Sequence, residues 1–473
     1  MNAYRPTIGL EIHAELSTQT KMFCACKNQP EGSEPNTHVC PVCMAHPGAL
    51  PVANREAVRQ VLRVGAALGS ELADFTEFDR KSYFYPDIPK GYQISQYEHP
   101  LVKGGVLAGV AITRVHLEED TARSSHTTSD GVSLVDFNRA GVPLMELVTE
   151  PVIHDAETAG VFARELQLLL RTIGASHANL EKGEMRVEAN ISVSKDDTFG
   201  TKVEVKNINS FRSVERAIAF EVERQSKLLD EGGVVIQETR GWDEGGQRTF
   251  SQRIKEGSAD YRYFPEPDLP KLYVSEIPDL SPDVIRASLP ELPWERRARY
   301  AALGVKDDDV VFLAGTRERG AFFDAVIQSA GNEAPLLQAC ANYLVSDVAG
   351  WYAKSGKAEY EGLEPASLVS LLRLVSDGSL SSRGAKDVLA LMLEKGGDPR
   401  TIASEHGLVQ VNDDGALREA VQAVLKEHEG VVAEYRAGKE SSLQFLVGMS
   451  MKAMKGAGNP GAIKTILTEE LGK

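Results

Sequence analysis

Apolar and polar residues alternate strictly over residues 8–16. Ile8, Leu10, Ile12, Ala14 and Leu16 point one way and Gly9, Glu11, His13 and Glu15 the other, which predicts a strand with one buried face. The same period of two recurs over residues 185–194, where Val187, Ala189, Ile191 and Val193 oppose Arg186, Glu188, Asn190, Ser192 and Ser194. A turn at residues 195–200 leads to a further strand with Val203 and Val205 inward and Lys202, Glu204 and Lys206 on the other face. The two together predict a hairpin. Helical spacing takes over at 155–173, closed by Gly174, and at 210–229, closed by Gly232 and Gly233. Beyond the proline-marked junction at 277–282, followed by Pro290 and Pro293, the pattern is almost wholly helical, as at 364–375 and 382–394. A second break, Lys395-Gly396-Gly397-Asp398-Pro399, sets off a final helical unit. The expected organisation is therefore a mixed first domain over 1–290, a helical domain over 291–397 and a helical tail over 398–473.

Composition narrows this picture. A length of 473 residues exceeds one ordinary core, and a charged share of 25% fits a folded, water-facing protein. Residues 1–5 lack the basic-then-apolar order of a signal peptide, and no apolar run approaches the roughly 20 residues that cross a bilayer. A cytoplasmic protein with no membrane partner is expected. The net charge of −16 argues against nucleic-acid binding by bulk charge, so any such contact needs a local surface.

Four of the five cysteines lie together as Cys24-x-Cys26 and Cys40-Pro-Val-Cys43, a pattern that suits tetrahedral Zn²⁺. With all four ligands from the protein, the zinc would be structural; four reduced structural thiols are the other reading. Cys340 falls in an apolar helical pattern and reads as core.

The polar strand faces carry the remaining chemistry. Glu11 and His13, about 7 Å apart on one face, can reach one ion, although such a face is also compatible with simple solvation. Glu188 with Asn190, and Arg186 with Lys206, could serve a cation and a phosphate; cross-strand ion pairs on an exposed sheet are the alternative. In Arg114-Val115-His116-Leu117-Glu118-Glu119, Glu119 shares parity with the apolar Val115 and Leu117. It would need a cation or strong donors there, which ranks it above Glu118 as a ligand. Glu146 and Glu150 share strand parity four residues apart. The aromatic runs at 83–85 and 261–264 precede two similar turns, 86–90 and 267–271, an echo more simply read as coincidence. No phosphate-wrapping loop, dinucleotide fingerprint or nucleophile elbow occurs.

These segments resemble, in order and along nearly the whole chain, the B subunits of the aspartyl/glutamyl-tRNA amidotransferases, the GatB family. The resemblance rests on Ile8-Gly9-Leu10-Glu11-Ile12-His13-Ala14-Glu15-Leu16, on Cys40-Pro41-Val42-Cys43, and on residues 81–96 (Lys81-Ser82-Tyr83 through Ser95-Gln96). It also rests on Asp136-Phe137-Asn138-Arg139-Ala140-Gly141, on Val205-Lys206-Asn207-Ile208-Asn209-Ser210-Phe211, and on 260–268. It implies an α+β fold: an antiparallel-sheet cradle related to glutamine synthetase, then an all-helical domain and a YqeY-like tail. It implies a carbon–nitrogen ligase with glutamine as amido donor. ATP would phosphorylate the side-chain carboxylate of Glu-tRNA(Gln) and/or Asp-tRNA(Asn), and channelled ammonia would then amidate it. The partners would be the A and C subunits of a heterotrimer, the first an amidase that acts as glutaminase and the second small. Misacylated tRNA would be held partly by tail residues such as Lys452 and Lys455. Glu11, His13, Glu119 and Glu150 would hold Mg²⁺, with Mn²⁺ an alternative because imidazole is an unusual magnesium ligand. Lys206, Arg186 and Asn190 would face the nucleotide. Glu188 stands where the family often has aspartate, which makes its direct ligation less secure than that of Glu11. A tRNA-docking scaffold without catalysis and a free-standing ligase using dissolved ammonia are the competing functions.

Overall fold

The computed structural model describes residues 4–125, 132–254, 261–410, 414–454 and 458–472. The chain divides into two compact units, Met1–Leu292 and Pro293–Lys473.

The first unit is built on a ten-stranded sheet among the described residues. Its strands are β1 (Arg5–Glu15), β2 (Glu71–Leu72), β3 (Val102–Lys103), β4 (Val106–Leu107) and β5 (Val110–Glu119). They continue with β6 (Pro143–Thr149), β7 (Met185–Ser194), β8 (Val203–Ile208), β9 (Glu238–Asp243) and β10 (Arg248–Ile254). The order is β10-β9-β8-β7-β1-β6-β5-β3-β2, with β4 paired to β5. Every pair is antiparallel except β8–β9. That parallel pair needs a crossover, supplied by helix α3 (Phe211–Asp230).

The expected alternation in β1 holds: Ile8, Leu10, Ile12 and Ala14 are fully buried. Helix α2 (Ala156–Thr172) starts where the Asp155 carboxylate accepts the Thr158 N–H at 2.7 Å, and Gly174 follows it at φ 71°, which a left-handed stop requires. Helix α3 starts on Ser210 in the same way, and Gly232 follows it at φ 78°. The two helices pack on each other, with α3 lying on β7, β8 and β10, while α1 (Arg55–Ala67) packs on β2, β3 and β5.

A separate three-stranded sheet joins Phe264–Pro265, Asp79–Ser82 and Tyr92–Ser95. Arg80 fastens it with hydrogen bonds of 2.7 and 2.8 Å to the two Glu266 oxygens. The two aromatic runs meet where Tyr83 packs edge-on against Tyr261, and beside them Tyr97 stacks on Tyr263 at 4.5 Å.

The second unit is helical and holds two apolar clusters. One runs from Tyr300 to Ala403, with Cys340 fully buried inside it; the other runs from Leu417 to Leu471. The expected helices appear as Pro365–Ser376 and Ser382–Lys395. The short helix Pro399–Glu405, just past the sequence break, packs through Ile402 and Ala403 with the first cluster. Lys452 is exposed near the end of helix Ser441–Ala453, and Lys455 lies outside the described residues. Among the described residues no helix is long and apolar enough to cross a membrane.

Candidate active site

Residues directly opposite in neighbouring strands share a face, so the strand register decides which side chains can meet. Glu11 stands opposite Glu188 on one side and Val148 on the other. His13 stands opposite Arg186 and Glu146, and Glu146 opposite His116. Glu118 pairs with Leu144, which pairs with Glu15. One face of the sheet therefore gathers Glu11, His13, His116, Glu118, Glu146 and Glu188 from four adjacent strands, and β8 adds Glu204 and Lys206.

Two clusters result. Glu11, Glu188 and Glu204 bring one oxygen each within 4.8 Å of the others. Lys206 Nζ lies 2.7 Å from Glu188 and 3.7 Å from Glu204, and Asn190 Nδ2 donates to Glu11 Oε1 at 2.8 Å. At such separations each pair of ionised carboxylates repels by about 3 kcal/mol at an effective dielectric of about 20. Burial, then the charges of Glu146, Glu188 and Glu204, hold the Glu11 carboxyl above its usual range. This all-oxygen set fits a hard cation such as Mg²⁺.

The second cluster is His13, Glu118 and Glu146. His13 Nε2 is 3.4 Å from both Glu118 and Glu146, and His116 Nε2 is 3.4 Å from Glu146. Burial disfavours the charged His13 ring, but the hydrogen bond and charge of Glu146, with the charges of Glu118 and Glu188, outweigh it and raise it to about 9. Burial likewise opposes ionisation of Glu146, yet the two imidazoles hold it well below the carboxylate range. The Nδ1 atoms of both rings are buried without a hydrogen-bond partner. Mixed nitrogen and oxygen donors suit a transition ion such as Mn²⁺ better than they suit Mg²⁺.

The expected ligands divide. Glu11, His13 and Glu188 stand in these clusters; Glu119 and Glu150 stand in neither. Glu119 lies on the opposite face, as its parity required. Lys90 Nζ sits 2.7 Å from its carboxylate oxygens and the Ile94 N–H donates to it at 3.0 Å. Glu150 lies just past the end of β6, beside a register shift that leaves Thr113 as the extra residue on β5, and it accepts from Thr113 Oγ1 at 2.8 Å. Arg186 is engaged by the buried Asp120.

Sequence reasoning passed over His116 and Arg114 and gave Glu204 no ligand role. Their parity with Glu118, or with Lys206, was the available signal. Arg114 lies in the cross-strand row of Glu11 and Val148, and its Nε is buried without a partner. Lys81, from the small sheet, stands under the rings of Tyr261 and Tyr83 at 5.1 and 6.0 Å. Burial works against its charge, but Glu118, Tyr263 and Glu146 keep it protonated.

Away from this face, Cys24, Cys26, Cys40 and Cys43 converge. Four sulfurs bound to zinc at about 2.3 Å in a tetrahedron would lie about 3.8 Å apart. Cys43 Sγ is 3.8 Å from Cys40 Sγ and 4.0 Å from Cys26 Sγ. The Cys40 N–H also donates to Cys43 Sγ at 3.1 Å. The thiol of Cys43 is lowered first by its hydrogen bond from Cys24 and then, against burial, by that N–H and the charge of Lys21. The cysteine set fits a closed zinc site.

Comparison with known proteins adds two family matches. Residues 6–277 match the GatB/GatE catalytic domain and residues 321–471 the GatB domain. The B subunit of the aspartyl/glutamyl-tRNA(Asn/Gln) amidotransferase of Thermus thermophilus is 46% identical over 475 residues, 99% of each chain. The protein of the same name from Brevibacillus brevis is 40% identical over 484 residues, covering 100% of this chain and 99% of its own. The B subunit of the chloroplastic/mitochondrial glutamyl-tRNA(Gln) amidotransferase of Physcomitrium patens is 44% identical over 489 residues, covering 99% of this chain and 85% of its own.

Proposed function

The chain belongs to the GatB family, and from that premise we propose that it is the ATP-using subunit of a tRNA-dependent amidotransferase. Its substrate would be the side-chain carboxylate of glutamate on tRNA(Gln) and/or aspartate on tRNA(Asn). That carboxylate is a poor electrophile until one oxygen becomes part of a leaving group. In the first step the bond between ADP and the γ-phosphorus breaks as a carboxylate oxygen bonds to phosphorus. In the second, ammonia nitrogen bonds to the acyl carbon, phosphate departs with that oxygen, and nitrogen gives up one proton to form the amide.

The observation that carries this reading is the pair of ligand clusters side by side on one sheet face. Phosphoryl transfer is mostly a matter of positioning and charge neutralisation. Glu11, Glu188 and Glu204 would hold one divalent cation, and His13, Glu118 and Glu146 a second. Such ions supply neutralisation of the spread phosphate charge and alignment of the reacting oxygens. Lys206 and Arg114, from opposite sides of the row, would meet phosphate oxygens, and Asn190 would keep the Glu11 carboxylate oriented. The four cysteines would hold a structural zinc. Ammonia would come from an amidase partner, and a small third protein would complete the complex in the cytoplasm.

Assembled with those partners, the chain should cleave ATP in a reaction that depends on misacylated tRNA. Glu11→Ala and Glu146→Ala should each lower turnover by about 100-fold or more, the scale of losing one strong transition-state contact. Intact turnover in both variants would remove the site assignment. Absence of any metal-dependent nucleotide binding by the complex would favour a docking scaffold instead.

A further inference from the structure

Lys21 stands just ahead of Cys24 in the chain, and its side chain is fully buried. Lysine is almost never enclosed in this way unless an anion shares its burial, because an unpaired ammonium is costly to take out of water. Among the described residues, however, Lys21 forms no ion pair with a carboxylate. Its Nζ makes one hydrogen bond, donated to the Phe137 carbonyl at 3.1 Å. A neutral acceptor satisfies one of the ammonium's donors and none of its charge.

Two sources of negative charge lie beside its stem. Lys21 Cδ and Cys43 Cβ are 3.6 and 3.7 Å from the point that a Cβ on Gly141 would occupy, and a Glu119 oxygen is 3.9 Å from the same point. Glu119 is already engaged by Lys90 at 2.7 Å and by the Ile94 N–H at 3.0 Å. The cysteine cluster is the anion still without a counter-charge. Zinc held by four thiolates carries two net negative charges, which a half-buried loop has to balance. The Cys43 thiol, lowered first by its hydrogen bond with Cys24, is lowered further by the charge of Lys21. Backbone contacts fix this placement. The Lys21 N–H donates to the Cys26 carbonyl at 2.9 Å, which anchors the lysine to the first cysteine pair. Gly141, at φ 85°, puts no side chain between the lysine stem and Cys43.

We infer that Lys21 is the buried counter-charge of the four-cysteine zinc site, a positioning residue that sets how tightly the loop holds its metal. The inference rests on the structural-zinc reading above and goes beyond it, since the hold on the metal then depends on a residue that is not a ligand. It also extends what the metal secures. The same ammonium donates to the Phe137 carbonyl, the Met22 N–H donates to the Gly141 carbonyl at 2.7 Å, and the His38 N–H donates to Asn138 Oδ1 at 2.8 Å. Zinc would therefore order the segment 137–141 together with its own loop.

The test uses the full-length chain with Zn²⁺ and, as a spectroscopic probe, Co²⁺. Lys21→Met keeps most of the buried stem and removes the charge. Lys21→Gln also removes the charge but keeps an N–H donor for the Phe137 carbonyl. Either serves, provided its far-ultraviolet spectrum matches that of the unaltered chain. Both should weaken Zn²⁺, measured by competition with a chromophoric chelator, by about 10- to 100-fold, the usual cost of losing a partner outside the ligand set. In the Co²⁺-loaded chain the sulfur-to-cobalt charge-transfer band should move to longer wavelength, because removing a nearby cation raises the energy of the sulfur lone pairs. A lysine that only props the Phe137 carbonyl gives a different pattern. Lys21→Gln would then be near normal, and Lys21→Met would lower urea stability equally with and without zinc, with the band unmoved. That pattern, or Zn²⁺ affinity within about twofold of normal in both variants, would overturn the inference. If the unaltered chain bound no Zn²⁺, the zinc reading itself would fail and take this one with it.

Discussion

Glu118 and Glu119 are neighbours in sequence and both buried, yet they answer to opposite faces of the sheet. Glu118 adds its charge to a cluster that already holds Glu146, whereas Glu119 is neutralised by Lys90 and a backbone N–H. Breaking a buried ion pair by removing one partner costs about 3–5 kcal/mol. Glu119→Gln should therefore lower the unfolding free energy of the first unit by about 3 kcal/mol while leaving divalent-cation affinity in the Glu11 and His13 clusters close to normal. Glu118→Gln should change stability by about 1 kcal/mol or less, since it also relieves crowding of like charge, but should weaken Mn²⁺ binding at least tenfold. Urea unfolding together with metal titration separates the two variants, and a reversed pattern would mean that the faces have been assigned the wrong way round. The strand period was enough to place Glu119 on the apolar side and to say that it needed a cation. It could not say that the cation is Lys90, because a partner that distant in sequence arrives only through folding. Reading need as metal ligation was the step the pattern did not license.

At the scale of elements, periodicity and caps were readable where one segment decides its own shape. Asp155 and Ser210 begin α2 and α3, glycines end them, and the alternation of β1 and β7 survives into the sheet. What stayed hidden depends on neighbours: the bulged Thr113 that engages Glu150, the parallel β8–β9 pair behind α3, and the meeting of the two aromatic runs at Tyr83 and Tyr261. The cysteine loop lies between these cases. Its spacing announced a metal site, but its surroundings show what the metal would hold. The segment carries few regular elements; Lys21 N–H bonds the Cys26 carbonyl, Met22 N–H the Gly141 carbonyl and Val52 N–H the Phe23 carbonyl. Such a loop has little apolar core of its own, and closing it with a metal gives it order that backbone bonds alone do not. The purified chain should therefore contain one zinc per molecule by elemental analysis. Chelation, or Cys43→Ser, should expose the loop at residues 24–46 to protease while the sheet's far-ultraviolet signal stays. A metal-free chain with an equally resistant loop would rule out a structural role for zinc.

The whole molecule divides into two compact units at Leu292 and Pro293, each with its own buried apolar residues. Units with separate cores need not unfold together, and a single unfolding free energy is then not defined for the chain. Cysteine distribution makes this measurable, because Cys340 is the one cysteine beyond residue 43. Its side chain is fully buried among Leu336, Leu337 and Leu344, and burial pushes its thiol up to about 12, with only a small opposing effect from Arg373. The thiolate is the reactive form, so modification has to wait for an opening that both exposes and ionises it. A fragment of residues 293–473 should give a helical spectrum and a cooperative melt. In native buffer its thiol should react at least about 1,000-fold more slowly than in denaturant, the protection expected if exposure costs about 4 kcal/mol or more of opening. In the full chain, Cys340 should become reactive in its own transition, at a denaturant concentration that Glu119→Gln does not move, because that substitution strikes the core of the other unit. Immediate reaction of the isolated fragment would show that the second unit does not fold alone. A Cys340 transition that shifted with Glu119→Gln would show that the two cores unfold as one.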